Sequence, residues 1–214
     1  MNKVTETIRG YKIKSRKGLS HWDALLEEWM LCIERYTRVR YGDQPYAYNE
    51  RANIGLLAAA AWRCGRTAIE ETRAIKGYFN KPKWTGRIDL WIGDDKEEEL
   101  IESKFKWLPI NSPKDADLII SLTMKEALAD AKKSAGIYKN DGVRSLGIGF
   151  FPVYLKSRHK NKINEMILKS VNEAQLYPYH AIAWCFPKEA RNEITEQKNL
   201  LPGIIMVINN TKYS

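Results

Sequence analysis

Cysteine and histidine are scarce in this sequence, with 3 of each among 214 residues. Cys32, Cys64 and Cys185 are odd in number and form no CxxC pair. That argues against a disulfide framework or a zinc site and for the reduced thiols of a cytoplasmic protein. His21, His159 and His180 lie far apart without HxH or HxxxH spacing, so surface or capping roles are expected of them in place of metal ligation. No uninterrupted apolar run approaches the roughly 20 residues that cross a bilayer; the longest is the LLAAAAW stretch ending at Trp62. The opening MNKVTETIRGYKIKSRKG has no apolar signal segment, and neither a membrane-spanning nor an exported chain is expected. Internal repeats, low-complexity tracts, a G-x-S-x-G elbow and a Walker lysine loop are all missing, and Gly147-Ile148-Gly149 lacks the third glycine of a dinucleotide fingerprint. Serine-hydrolase and nucleotide-motor chemistry drop out with them.

What is present is the composition of a folded globular chain, 44% hydrophobic and 29% charged. With no Pro/Gly-rich linker to divide it, residues 1–214 are expected to form one domain around one core. The net charge of +9, from 35 Lys and Arg against 26 Asp and Glu, makes a polyanion the expected partner, nucleic acid before any anionic membrane surface. Positive residues gather at Lys12, Lys14, Arg16 and Lys17 and again at Lys156, Arg158, Lys160 and Lys162, where a phosphate backbone could lie.

Periodicity predicts an α/β protein. A helix from Ser20 to about Val39 carries Trp22, Leu25, Leu26, Trp29, Ile33 and Tyr36 at three- and four-residue spacing, and Asn49 caps a second from Glu50 to about Cys64, ended by Gly65. TAIEETRAIKG, RIDLWI and ELIESKFKW read as three strands, the last two joined as a hairpin through GDDKE. Asp115 to Lys133 is expected as a helix with Leu118, Leu122 and Ala129 on its apolar side. SLGIGFFPVYL then reads as a strand, Lys160 to Gln175 as a helix, and HAIAWCF and GIIMVIN as closing strands. The sum is a mixed central sheet flanked by helices.

The chemistry concentrates in the hairpin. A turn centred between Asp95 and Lys96 sets Leu90 opposite Ile101 and Asp89 opposite Glu102. Facing residues have Cβ atoms about 4.5 to 5.5 Å apart, a spacing at which two carboxylates repel unless a hard cation lies between them. Alternation puts Lys104 on the same side as Glu102. Mg²⁺ with such oxygen ligands could activate water while an ammonium group offsets charge on a phosphate, which is phosphodiester hydrolysis.

Asp89 followed by Glu102-Ser103-Lys104 resembles the split motif of PD-(D/E)XK nucleases, in the restriction-endonuclease-like superfamily, with Ile88 where the motif has Pro. The resemblance extends from about Asn49 to Leu155, in the order αβββαβ, leaving an extra N-terminal helix and a C-terminal αββ. It implies a Mg²⁺-dependent nuclease, with Mn²⁺ able to substitute, acting on DNA before RNA. By the same resemblance Asp89 and Glu102 hold the metal, the Ser103 carbonyl adds a ligand, and Lys104 positions or activates water and stabilises charge. The family often adds an acidic residue on its leading helix. Glu50 matches that role, on the line of Ile54, Leu57 and Ala61 that faces the sheet. The alternative is a catalytically silent factor, from a phage or defence system, that binds nucleic acid or protein with the same fold.

Other residues are considered for the site or its surroundings. Glu70, Glu71 and Gln175 could approach it, and Tyr78, Phe79 and Trp84 could stack on bases. One site per chain against two antiparallel strands suggests a two-fold homodimer, with Trp22 and Trp29 at its patch.

Overall fold

The computed structural model describes residues 6–15, 18–78, 80–110, 113–135 and 143–213. Arg16, Lys17 and Phe79 lie outside them. Within them, eight strands form one mixed, open sheet: β1 (Ile8–Ile13), β2 (Thr67–Lys76), β3 (Trp84–Gly93), β4 (Glu98–Phe105), β5 (Leu108–Pro109), β6 (Arg144–Lys156), β7 (Ala181–Phe186) and β8 (Asn199–Asn210). The order across the sheet is β1-β7-β8-β6-β4-β3-β2, with β5 added alongside β6. β4 and β6 run parallel, so the chain must cross over between them, and it does so through a helix.

Among the described residues, four α-helices cover the two faces: α1 (Asp23–Val39) and α2 (Glu50–Arg63) on one, α3 (Pro113–Ala135) and α4 (Ile163–Ala174) on the other. Period two decides which strand residue meets which layer. In β8, Ile204, Met206 and Ile208 join the core under α1 and α2, whereas Ile205 and Val207 join the core under α3 and α4. A strand buried on both faces reads as a continuous apolar run, as GIIMVI does. α2 starts as expected, with Asn49 Oδ1 accepting the Ala52 N–H at 2.8 Å, and it ends at Gly65, whose φ of 84° suits glycine.

Three expectations are corrected. The first strand, β1, had no signal in IRGYKI, which is short and interrupted by Gly10. That glycine lets the Trp184 ring lie where a Cβ would stand 2.7 Å away. Second, Leu118, Leu122 and Ala129 of α3 face solvent, and the buried side is Ala116, Ile120, Met124, Ala127 and Ala131. Its C-terminal half is alanine, at Ala127 and Ala131, because there the helix sits directly on β6: a Cβ on Gly147 would stand 2.8 Å from Leu128 N. Third, Trp22 and Trp29 are fully buried. They complete the core beneath α1 and so cannot form the patch expected of them.

The fourth helix also starts later than expected. KSRHKNK forms a 3-10 turn over Ser157–Lys162, and α4 begins at Ile163. Among the described residues, no helix is long and apolar enough to cross a membrane.

Candidate active site

The β3–β4 register pairs Leu90 with Ile101 and Gly93 with Glu98, the alignment that the turn chemistry requires. Asp94 Oδ1 closes the turn by accepting the N–H groups of Lys96 at 2.8 Å and Glu97 at 2.9 Å. Regular pairing stops at Leu90 and Ile101, one step before Asp89 and Glu102. There Asp89 Oδ2 accepts the Ser103 N–H at 2.7 Å and the Ser103 Oγ–H at 3.2 Å. A side chain has taken a backbone donor from the ladder. On the other side of β3, the pairs Glu70–Leu90 and Thr72–Ile88 bracket a missing pair at Glu71, which has a φ of 54°. Asp89 therefore sits where β3 is released from both neighbours.

Glu102 is 3% exposed and turned toward α3. Its Oε1 accepts the Ser134 Oγ–H at 2.6 Å and pairs with Lys76 Nζ from the end of β2 at 2.6 Å. Burial pushes its pKa above the ordinary glutamate value and the Asp89 charge adds to this, while Lys76 and Ser134 only partly offset them. Lys104 Nζ pairs with Asp130 of α3 at 2.8 Å, and Lys133 Nζ takes the other oxygen of Asp130 at 2.7 Å. Burial alone would lower the Lys104 pKa, but the bond to Asp130 and the charges of Asp130, Glu50 and Asp89 hold it above the usual lysine value. What brings α3 this close is the pair of glycines beside these residues, since Gly147 is the neighbour of Glu102 and Gly149 of Lys104. The Gly-Ile-Gly that failed as a nucleotide fingerprint works as a seat for a helix.

Glu50, in the first turn of α2, approaches from the opposite layer, on the expected line of buried Ile54, Leu57 and Ala61. Burial and then the Asp89 charge raise its pKa, opposed by Lys104 and by hydrogen bonding from Ser103 and the Phe105 backbone. Asp89 is thus within electrostatic reach of both Glu50 and Glu102, which approach it from opposite layers. An all-oxygen donor set of this kind suits a hard divalent cation.

Their oxygens are not gathered as ligands, however. Among the described residues, the one group of three His, Cys, Asp or Glu ligand atoms within 4.8 Å of each other is His21, Glu97 and Glu99, near the turn of the same hairpin. Its anions already have cations. Glu99, fully buried, binds His21 Nε2 at 2.5 Å and Arg66 Nη2 at 2.5 Å; Arg144 pairs with Glu97, and Arg66 Nε with Asp94 at 3.0 Å. Sequence gave no hint of this network, because His21 and Glu99 meet only in the tertiary structure.

The remaining residues scatter. Glu70 Oε1 lies against α2 at Gly55, Glu71 pairs with Arg87 at 3.3 Å, and Gln175 is bound by Lys12. Lys12 and Lys14 belong to the region of the β1 edge, about 19 Å from β4 at four strand spacings. Tyr78 and Trp84 are exposed. Lys156 is seven positions beyond Gly149, which along a strand is about 23 Å. Lys156, Arg158, Lys160 and Lys162 thus form a separate positive turn, past the end of β4 at which Lys104 stands.

The Asp130 pairing carries a pH signature. Burial would raise its pKa, but Lys104 and Lys133 outweigh that and hold it below the ordinary aspartate value of 3.8. A depressed carboxyl contributes stability that is whole at neutral pH and lost as pH falls through its folded-state pKa. Asp130→Asn is therefore expected to lower stability at pH 7 and to narrow the gap from the parent below pH 3.8, as urea melts at pH 7 and pH 3 would measure.

Comparison with protein-family models, curated proteins and solved structures finds no match.

Proposed function

We propose that this chain is a Mg²⁺-dependent nuclease that hydrolyses phosphodiester bonds, in DNA before RNA, on a restriction-endonuclease-like core. The observation that carries the reading is the mutual electrostatic influence of Glu50, Asp89 and Lys104, drawn from α2, β3 and β4, with Glu102 held beside Asp89. The succession α2-β2-β3-β4-α3-β6 supports it, since with the two-residue β5 between β4 and α3 set aside it supplies the order αβββαβ. Asp89, Glu102, Glu50 and the Ser103 carbonyl are the groups that would hold the ion, and a divalent cation there supplies Lewis acidity to the phosphodiester. Lys104 keeps its proton, so its part is to offset negative charge developing on the phosphate. Asp130 positions that ammonium group.

A second reading has its own support. Lys76 already places a cation on Glu102 at 2.6 Å, as a silent binding protein that keeps the fold without the metal would do. Incubation with plasmid, linear duplex and single-stranded DNA, in Mg²⁺, Mn²⁺ or EDTA, separates the two. Products confined to the metal lanes are expected; no product in any lane, with binding retained in Ca²⁺, favours the silent protein.

DNA binding in Ca²⁺ should weaken steeply with salt, by a log-log slope of about 0.9 for each phosphate neutralised. Replacing Lys156, Arg158, Lys160 and Lys162 together with Gln is expected to flatten that slope by about 2 to 4. A slope equal to the parent's would place this turn away from the substrate.

A further inference from the structure

Between the candidate catalytic residues and the basic turn lies a pocket of about 460 Å³, lined by residues that include Trp107, Tyr154, Asn199, Leu201 and Ala47. Three chain segments fix its position. Trp107 follows Lys104 by three residues, Ala47 precedes Glu50 by three, and Tyr154 precedes Lys156 by two. Each of these lining residues is therefore within about 11 Å, Cα to Cα, of a residue already assigned to the metal, the phosphate or the basic turn.

The lining has two chemical features. Phe105, Trp107 and Tyr154 form a row of rings with centroids 5.8 and 6.3 Å apart, set at 84° and 81° to one another. Consecutive rings in the row do not stack in parallel, and two of the three line the pocket. The second feature is Asn199, whose Oδ1 is buried with no hydrogen-bond partner among the described residues. A buried amide oxygen left unpaired is costly, and because Asn199 also lines the pocket, a small rotation of its side chain would offer that oxygen a donor from a molecule seated there.

An aromatic platform with an adjacent carboxamide is the combination that holds an unstacked base, the ring taking its face and the amide its edge. The flank agrees, with the cationic Ser157–Lys162 turn two residues beyond Tyr154, where the phosphates of a continuing strand would run. We propose that the pocket receives one unpaired nucleobase of the substrate strand, stacked on Trp107 or Tyr154 and donating an N–H to Asn199 Oδ1. This inference rests on the nuclease reading for its class of ligand. It narrows the substrate to nucleic acid that offers an unpaired base, whether a single strand, a frayed end or a flipped nucleotide.

The test needs no variant to begin with. A series of short single-stranded DNA oligonucleotides, each with one abasic site moved stepwise along it, is titrated with the full chain in Ca²⁺ by fluorescence anisotropy. The intact oligonucleotide in Mn²⁺ gives the position of the cut. Affinity is expected to fall roughly 5- to 150-fold when one particular base is missing, the range for a stacked base, and little elsewhere. That position should lie within two nucleotides of the cut. Tyr154→Leu and Trp107→Leu, compared at matched melting temperatures, should weaken the intact oligonucleotide and flatten the profile. Asn199→Leu should erase any preference among the four bases at that position.

A uniform abasic profile, with the oligonucleotide bound and cut, overturns the pocket and leaves the nuclease reading standing. So does duplex cleavage without any single-strand binding. Loss of binding and cleavage with every nucleic acid tested overturns both. For a chain that binds without cutting, the profile alone decides.

Discussion

Asp89→Asn is expected to lower the metal-dependent cleavage rate by roughly 100-fold or more, the scale of losing one preorganised electrostatic group, with melting unchanged to within a few degrees. Asn retains an oxygen that can accept the Ser103 N–H, so the release of β3 at this point survives. What disappears is the negative charge that acts on Glu50, Glu102 and Lys104. Lys104→Met should have a comparable effect on rate, because the remaining lysines, Lys76 and Lys133, are already bound to Glu102 and Asp130. Glu102→Gln is a less clean test, since it also removes the ion-pair partner of Lys76. Glu50→Gln should act differently, raising the metal concentration at half-maximal rate more than it lowers the maximum. If Asp89→Asn and Lys104→Met both cut at near-parental rates, the chemistry lies elsewhere in the molecule.

Removing Glu99 should have the largest effect on stability. Its side chain is fully buried and that of Arg66 is 7% exposed, the two joined at 2.5 Å. Taking one partner from a buried ion pair strands the other, at a cost of about 3 to 5 kcal/mol. Glu99→Leu is expected to reach that range in urea unfolding. The double change Glu99→Leu with Arg66→Met should cost less than the single one, because no cation is then left without its anion. A loss below about 1 kcal/mol for the single change would mean that water reaches the network, since exposed pairs are worth no more than that. The same measurement bears on the hairpin, whose turn end this network ties to residues before α1 and to the start of β2 through His21 and Arg66.

Most of the sheet was legible in the sequence because strands and helices leave a short-range record. Asp-Asp-Lys-Glu at the hairpin turn, Asn49 at the cap of α2 and Gly65 at its end are local chemistry, and each acts in the structure as such. Register followed from them, and with it the meeting of Asp89 with the Glu102-Ser103-Lys104 segment. β1 left no such record, because its place depends on Trp184 filling the space above Gly10 from another strand. The side of α3 that faces the sheet was misread for a related reason. Leucines at helical spacing are the stronger apolar signal, yet Gly147 on the neighbouring strand lets the α3 backbone come close at Ala127 and Leu128, so Ala127 and Ala131 turned inward and Leu118 and Leu122 outward.

What the sequence by itself determined is most of the elements, β1 and the short β5 excepted, the hairpin register, and which charged residues that register sets near the release of β3: Asp89, Glu102 and Lys104. The tertiary structure alone decided who holds them. Lys76, Ser134 and Asp130 reach Glu102 and Lys104 from 26 to 32 residues away in the chain, and His21 reaches Glu99 across 78. Local propensity acts over a few neighbours and is written in periodicity and capping. A partner for a buried charge is chosen by desolvation and packing after distant segments meet, and no pattern within a single element encodes that choice.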